Sequence, residues 1–355
     1  MDSVHLFLGS NSGEGFCSLY DQLPGARFDD LMILKGGPGC GKSSFMRRVA
    51  KALTGASYDC VYIHCSGDPD SLDAVIFPQL RAGIVDGTSP HVLEPEYTVA
   101  HDRYVDLTRF YDVEAVKARR ADLVALSDAY RGAYREAYRC LRAAEAVATG
   151  RRDTVAAVFD GEKLERRVLS ILRRELRSGP DGAGGEVRAF LGGVTHQGTI
   201  CRFDTVEALC PRVFELSDSF GLAADALEAL RKTALRAGCR VLACPDPLAP
   251  QRLRHLLLPE LGAAFVTSGG ETVYPGKPTR RLRVDAAAMQ SLSRVQRARL
   301  RFTGRVERSL RADAVEALVR AKQLHDALEA AYNPFVDFDG VYRLADEEAA
   351  RLLSR

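Results

Sequence analysis

The sequence predicts an α/β fold written twice in tandem. Each copy is expected to be a parallel sheet with helices on both faces and an appended helical hairpin, the second copy degenerate. Three observations predict this. Short apolar runs alternate with helical patterns at the start of each half. Long helical stretches close each half. The two halves also match one another along their length, the sign of an internal repeat.

The repeat is visible residue by residue. Val4-His5-Leu6-Phe7-Leu8-Gly9 lines up with Val187-Arg188-Ala189-Phe190-Leu191-Gly192. In the same register Gly15 meets Gly198 and Asp21 meets Asp204. With small gaps, Cys65 falls near Cys244, Asp68-Pro69 near Asp246-Pro247, and Pro78-Gln79-Leu80 on Pro259-Glu260-Leu261. Val85 meets Val266, and Phe159-Asp160-Gly161 meets Phe338-Asp339-Gly340. The run from Gly179 to Gly185 is a flexible linker by composition. It divides the chain into 1–182 and 183–355.

Within the first copy, Leu31–Leu34, Cys60–Cys65 and Ala82–Asp86 read as buried strands. Residues 112–147 carry Val116, Leu123, Tyr130, Tyr134, Tyr138 and Leu141 at helical spacing, and a second helix is expected over 162–177. The second copy repeats this over 285–331 and 341–353. The tyrosines at i, i+4 and i+8 are expected to pack in the seam of the hairpin.

Bulk properties set limits on function. A chain of 355 residues suits two domains, and 46% apolar with 27% charged residues is a folding composition. The net charge of +2 gives no global pull toward nucleic acid or membranes. Nine cysteines, an odd number with no C-x-x-C pair, suit a reducing compartment better than a disulfide or metal framework. The start Met1-Asp2-Ser3 lacks a basic stretch followed by an apolar core, and no apolar run is long enough to span a bilayer. A cytoplasmic protein is expected.

The chemistry concentrates in Gly36-Gly37-Pro38-Gly39-Cys40-Gly41-Lys42-Ser43. This run follows the strand Leu31–Leu34 and precedes Phe45, Met46, Val49, Ala50 and Leu53 at helical spacing, with Gly55 as a stop. A glycine-rich turn between strand and helix, ending in Gly-Lys-Ser, is the pattern of a phosphate-binding P-loop, so each copy is expected to be P-loop NTPase-like. Glycines let main-chain N–H groups turn inward, and the helix start adds partial positive charge. Lys42 is expected at the β- and γ-phosphates and Ser43 on Mg²⁺, with Ser44 a second hydroxyl and Cys40 a small filler. The expected ligands are ATP and Mg²⁺.

Asp86, at a strand end, is the candidate metal-orienting carboxylate, although Asp86-Gly87 is also a turn signal. Strand ends in such sheets face ligands, which makes His64, Ser66, Asp68 and Asp73 candidates for orienting water or an acceptor. Asp70-Ser71-Leu72-Asp73 reads somewhat better as a helix N-cap. Gly87 stands where many ATPases place a water-activating glutamate. The two asparagines, Asn11 and Asn333, begin no Asn-Lys-x-Asp guanine motif, so adenine is expected. Phe16 or Tyr20 could stack on the base, though core packing is the better reading of both.

The second copy has lost the motif. Ser217–Leu227 retains Gly221 opposite Gly39, but Ala224 stands opposite Lys42 and Asp225 opposite Ser43, while Thr267 replaces Asp86. One nucleotide per chain is expected. Between Lys277 and Arg311, eleven cations face only Asp285 and Glu307, a local charge of +9. Three readings are weighed: a solvated helix face paired with acidic neighbours, a surface for nucleic acid or a protein partner, and an arginine finger.

The runs Gly15–Asp21, Ile33–Ser44, Tyr62–Ser66 and Ile84–His91 resemble a poorly characterised bacterial family of predicted ATPases with a duplicated P-loop domain. The resemblance spans nearly the whole chain and implies an ATPase-like core, with nucleotide roles for Lys42 and Ser43. It departs from the family pattern in the eroded second loop. The expectation is a Mg²⁺-dependent ATPase with one site in the N-terminal half. The alternatives are a small-molecule or nucleoside kinase and a nucleotide-gated regulatory module.

Overall fold

The structure, a computed structural model, describes residues 3–23, 27–176 and 184–355. Most of the expected linker, Gly179 to Ala183, lies outside the described residues. The first copy runs β1 (Val4–Phe7), β2 (Gly9–Ser12), β3 (Gly15–Ser18), β4 (Asp30–Lys35), α1 (Lys42–Gly55), β5 (Val61–His64), β6 (Leu72–Phe77), β7 (Ala82–Asp86) and β8 (Asp102–Asp106). Helices α2 (Val113–Ala118), α3 (Arg120–Ala156) and α4 (Gly161–Glu175) complete it. The second runs β9 (Gly185–Arg188), β10 (Gly192–Thr195), β11 (Gly198–Cys201), α5 (Phe203–Leu209), β12 (Arg212–Ser217), α6 (Ala224–Arg236), β13 (Arg240–Pro245), β14 (Leu253–Leu258), β15 (Ala263–Ser268) and β16 (Arg280–Leu282). It closes with α7 (Val284–Met289), α8 (Arg294–Tyr332) and α9 (Phe338–Leu353).

Each copy contributes one six-stranded sheet, and the two have the same topology. The first is ordered β1-β5-β6-β7-β4-β8, the second β9-β13-β14-β15-β12-β16. The sheets are mixed rather than parallel: β6 and β14 run antiparallel to both neighbours. This corrects the expected all-parallel sheet. It also corrects the reading of Asp70–Asp73 as a helix start, because Leu72–Phe77 is strand β6. A six-residue apolar run fits a buried strand or a helix segment equally well by periodicity, and here neighbours on both sides satisfy its backbone.

The chain forms two compact units that are not consecutive in sequence. One comprises Met1–Gly9, Ser18–Ala137 and Glu316–Arg355, the other Ser10–Cys17 and Tyr138–Val315. They differ from the sequence division at 182/183 because each sheet is covered by a helix from the other repeat. In the first unit Val341, Ala345, Ala349 and Leu352 of α9 pack on Phe45, Met46, Val49 and Leu53 of α1, over Met32 and Leu34 of β4. Asp30, at the start of β4, is buried and paired with Arg103, Arg351 and Arg355, which fixes the end of α9. In the second unit Leu164, Val168, Ile171 and Leu172 of α4 pack on Leu227, Leu230 and Ala234 of α6. The apolar stripe of each closing helix has the i, i+4, i+7 or i+8 spacing that an adjacent helix face requires.

Leu172→Ala removes a fully buried side chain from the α4–α6 contact and is expected to cost about 2–5 kcal/mol in urea unfolding. Hydrogen exchange should rise in α6 and leave α1 protected. Equal loss of protection in α1 would contradict the assignment of α4 to the second unit.

Candidate functional site

The glycine-rich loop joins the C-terminal end of β4 to α1. Gly39 and Gly41 have φ of +70° and +84°, a left-handed conformation that side-chain-bearing residues rarely adopt. Gly41 caps α1, and the first helical bond runs from Phe45 N–H to Gly41 O at 2.8 Å. The N–H groups at the helix start therefore have no intrahelical acceptor and, with the helix dipole, favour an anion there. The Lys42 ammonium lies back across the loop, donating to Gly36 O at 2.9 Å and Gly37 O at 3.0 Å. Cys40 is buried beneath it, and burial pushes its thiol up. Ser43 Oγ accepts from Leu72 N–H at 3.1 Å, which ties the helix start to β6. Ser44 is exposed on the first turn of α1.

Strand β7 pairs in parallel with β4 and sets Leu34 opposite Asp86. The Asp86 carboxylate lies 3.6 Å from Lys42 Nζ, and its other oxygen accepts from the Thr88 N–H and hydroxyl at 2.8 and 2.6 Å. Gly87 is forced by packing: a Cβ there would meet Ile33 Cγ2 at 2.3 Å. No glutamate fits at that place without displacing the core. Lys35, just before the loop, donates to Gly87 O and Leu93 O, both at 2.9 Å, and so holds the 87–93 segment against β4.

That segment carries His91. Its Nε2 lies 3.0 Å from the Asp73 carboxylate, and both side chains are buried. Tyr20 OH donates to the same carboxylate at 2.8 Å, and its ring lies 4.4 Å from that of His91. Burial alone opposes the charges on both partners. The mutual attraction outweighs it, so His91 is raised above its usual value and Asp73 is lowered. Asp86 adds to the upward pull on His91 and Lys42 subtracts from it. Tyr20 is 1% exposed, which makes it a core residue and not a base-stacking surface.

The far end of the chain covers the loop within the same unit. Tyr111 OH donates to Pro38 O at 2.9 Å. The Asn333 carboxamide, with its nitrogen toward the loop, donates to Gly39 O at 2.9 Å and Glu329 O at 3.1 Å. Segments 110–112 and 335–337 are joined by Asp112 N–H to Phe335 O and Asp337 N–H to Phe110 O, each 2.8 Å. Between them lies an open groove of about 390 Å³ lined by Arg109, Phe110, Tyr111, Asp112, Phe335 and Asp337 among others. No fixed spacing in the sequence links His91, Tyr111 or Asn333 to the loop, so pattern alone assigns them no place beside it.

Asp68 is held elsewhere: its carboxylate faces Lys322 of α8 at 3.5 Å and accepts from Asp70 N–H at 3.2 Å. His64 is engaged by Pro69 O at 2.7 Å and His5 at 2.8 Å, and Ser66 is buried. Phe16 belongs to the other unit. Tyr130 and Tyr134 stack edge to face at 5.1 Å, and Tyr130 also meets His325 of α8, so these rings face the long helix of the second copy and not the hairpin partner expected from the sequence.

The corresponding loop of the second unit is filled from within. Asp218 accepts from Phe220 N–H at 3.1 Å and Ala223 N–H at 2.7 Å, while Asp285 accepts from Ser219 N–H at 2.9 Å. Two protein carboxylates thus occupy main-chain donors at the start of α6, and Arg252 holds Gly221 O at 2.7 Å. Asp225, which stands opposite Ser43 in the repeat alignment, is exposed. The carboxylates that close the loop are Asp218 and Asp285.

Compared with known protein families, curated proteins and solved structures, the chain matches none. Among the described residues no helix is long and apolar enough to cross a membrane.

His91→Ala leaves Asp73 buried without its cation and is expected to destabilise the protein by about 3 kcal/mol in urea unfolding at pH 6. The His91 contribution is complete below its unfolded value of about 6.5 and is lost as pH rises through the raised folded value. The gap between wild type and variant should therefore narrow at alkaline pH. A gap that widens would contradict the paired geometry.

Proposed function

We propose that the loop from Gly36 to Ser43 is a P-loop and that the protein binds ATP with Mg²⁺ at this single site, hydrolysing it slowly. The observation that carries this reading is the position of Lys42. Its ammonium lies across two loop carbonyls, 3.6 Å from Asp86, at a helix start whose N–H groups lack helical acceptors. Such a mouth offers main-chain donors and one mobile cation to a polyanion.

The donor set fits Mg²⁺. One buried carboxylate, Asp86, and one hydroxyl, Ser43, suit a hard cation that keeps most of its waters. Bound there, the ion would neutralise charge on the terminal phosphates. Lys42 would exchange its loop carbonyls for phosphate oxygens, and Asp86 would orient the cation. The packing at Gly87 favours slow turnover, and hence a nucleotide-gated role, because the usual water-activating side chain has no room.

The strand order suggests where the nucleoside would run. Asp86 lies on one flank of β4 and β8 on the other, so a triphosphate seated over the loop extends past β8 toward the groove at Arg109–Asp112. Its volume of about 390 Å³ is in the range of small-ligand sites, and aromatic walls suit a base.

Lys42→Ala is expected to weaken ATP binding in calorimetry at least tenfold, from the loss of a charge-assisted contact of about 1.5–3 kcal/mol. Unchanged affinity would refute the site. Phe335→Ala, in the groove, should weaken ATP binding several-fold while leaving inorganic tripolyphosphate unaffected. Equal loss for both ligands would place the base elsewhere.

A further inference from the structure

The arginine-rich stretch acquires a definite geometry on α8. At 3.6 residues per turn, Arg294, Arg297, Arg301, Arg305 and Arg308 fall within an arc of about 80° and extend about 21 Å along the helix. All five are exposed. Arg281 pairs with Glu215 and Arg311 with Glu307, as a solvated and neutralised surface would require. Among the described residues, none of the five forms an ion pair. Arg305 alone has a ring contact, lying 5.9 Å from Phe302. The one acidic residue between Arg294 and Arg311, Glu307, is buried and taken by Arg151 and Arg311.

Five cations in one row repel one another, and among the described residues no ion pair relieves them. The row therefore suits a partner with regularly repeated negative charge. Two chemistries offer that, a nucleic-acid backbone and an anionic membrane. A helix lying in a membrane interface needs a broad apolar face toward the lipid. Here the apolar side of α8 is turned into the second unit, with Leu300 5% exposed in its core. The exposed large apolar residues of this segment are Val295 and Phe302. One aromatic ring is also too few for the successive base stacking of single-strand binding.

We infer that this face of α8 binds the phosphate backbone of double-stranded nucleic acid, without reading its sequence. Duplex phosphates present a dense line of charge that an arginine row can follow, and each contact releases counterions. The guanidinium groups donate in pairs to phosphate oxygens, which lysines cannot do.

The test uses the full chain and a fluorescently labelled DNA duplex of arbitrary sequence in anisotropy titrations at several salt concentrations. Wild type should bind at low salt, with a slope of log K against log salt of about −4 to −5 if all five arginines engage. The double variant Arg301→Gln/Arg305→Gln should reduce that slope by about 2. The control Arg166→Gln/Arg173→Gln, equally exposed on α4, should leave it unchanged. These are surface changes, and matching thermal melts confirm that the variants are folded. No duplex binding at low salt, an equal effect of the control pair, or binding confined to phosphatidylserine vesicles would each overturn the proposal.

Discussion

The arrangement depends on one constraint: a set of main-chain N–H groups at the start of α1 that the helix itself cannot satisfy. Gly39 and Gly41 take left-handed backbone conformations to bring them there. Lys42, Asp86 and Ser43 are then placed by the loop, by β7 and by β6. Burial of Phe45, Met46, Val49 and Leu53 against α9 and β4 fixes the helix behind the loop. A shift of α1 by a fraction of its pitch would separate Lys42 from the Gly36 and Gly37 carbonyls and from Asp86 together.

The second unit shows the same constraint met differently. Its sheet has the same strand order, and α6 again follows the strand that corresponds to β4. Its loop donors are satisfied by Asp218 and Asp285, so negative charge is built into the chain rather than brought by a ligand. Burial raises Asp285 above the usual carboxylate range while the N–H and hydroxyl of Ser219 pull it back. The loop of this copy is thus closed internally by carboxylates of the chain itself.

Much of this was legible in the sequence. Strands β4, β5 and β7 and the long helices follow from apolar runs and helical spacing, and the repeat shows in collinear matches such as Val4–Gly9 with Val187–Gly192. The Gly-Lys-Ser motif marked the loop because its geometry is local. What escaped was set by distant contacts. β6 carries an apolar run with two secondary structures open to it, and only pairing with β5 and β7 decides between them. The exchange of α4 and α9 between repeats is hidden because both helices have the same kind of apolar stripe. His91, Tyr111 and Asn333 reach the loop region from segments 49, 69 and 291 residues after Lys42, and no pattern in the chain encodes such distances.

The central claim is that a polyphosphate seats against the amides at the start of α1 and not against those of α6. Backbone amide chemical shifts measured while Mg²⁺-ATP is added test it most directly. The amides of Gly39 to Ser44 should move strongly and saturably, while those of Ser219, Phe220 and Ala223 stay in place. Large shifts at the second loop with a silent first loop, or no saturable shift at either, would contradict the account.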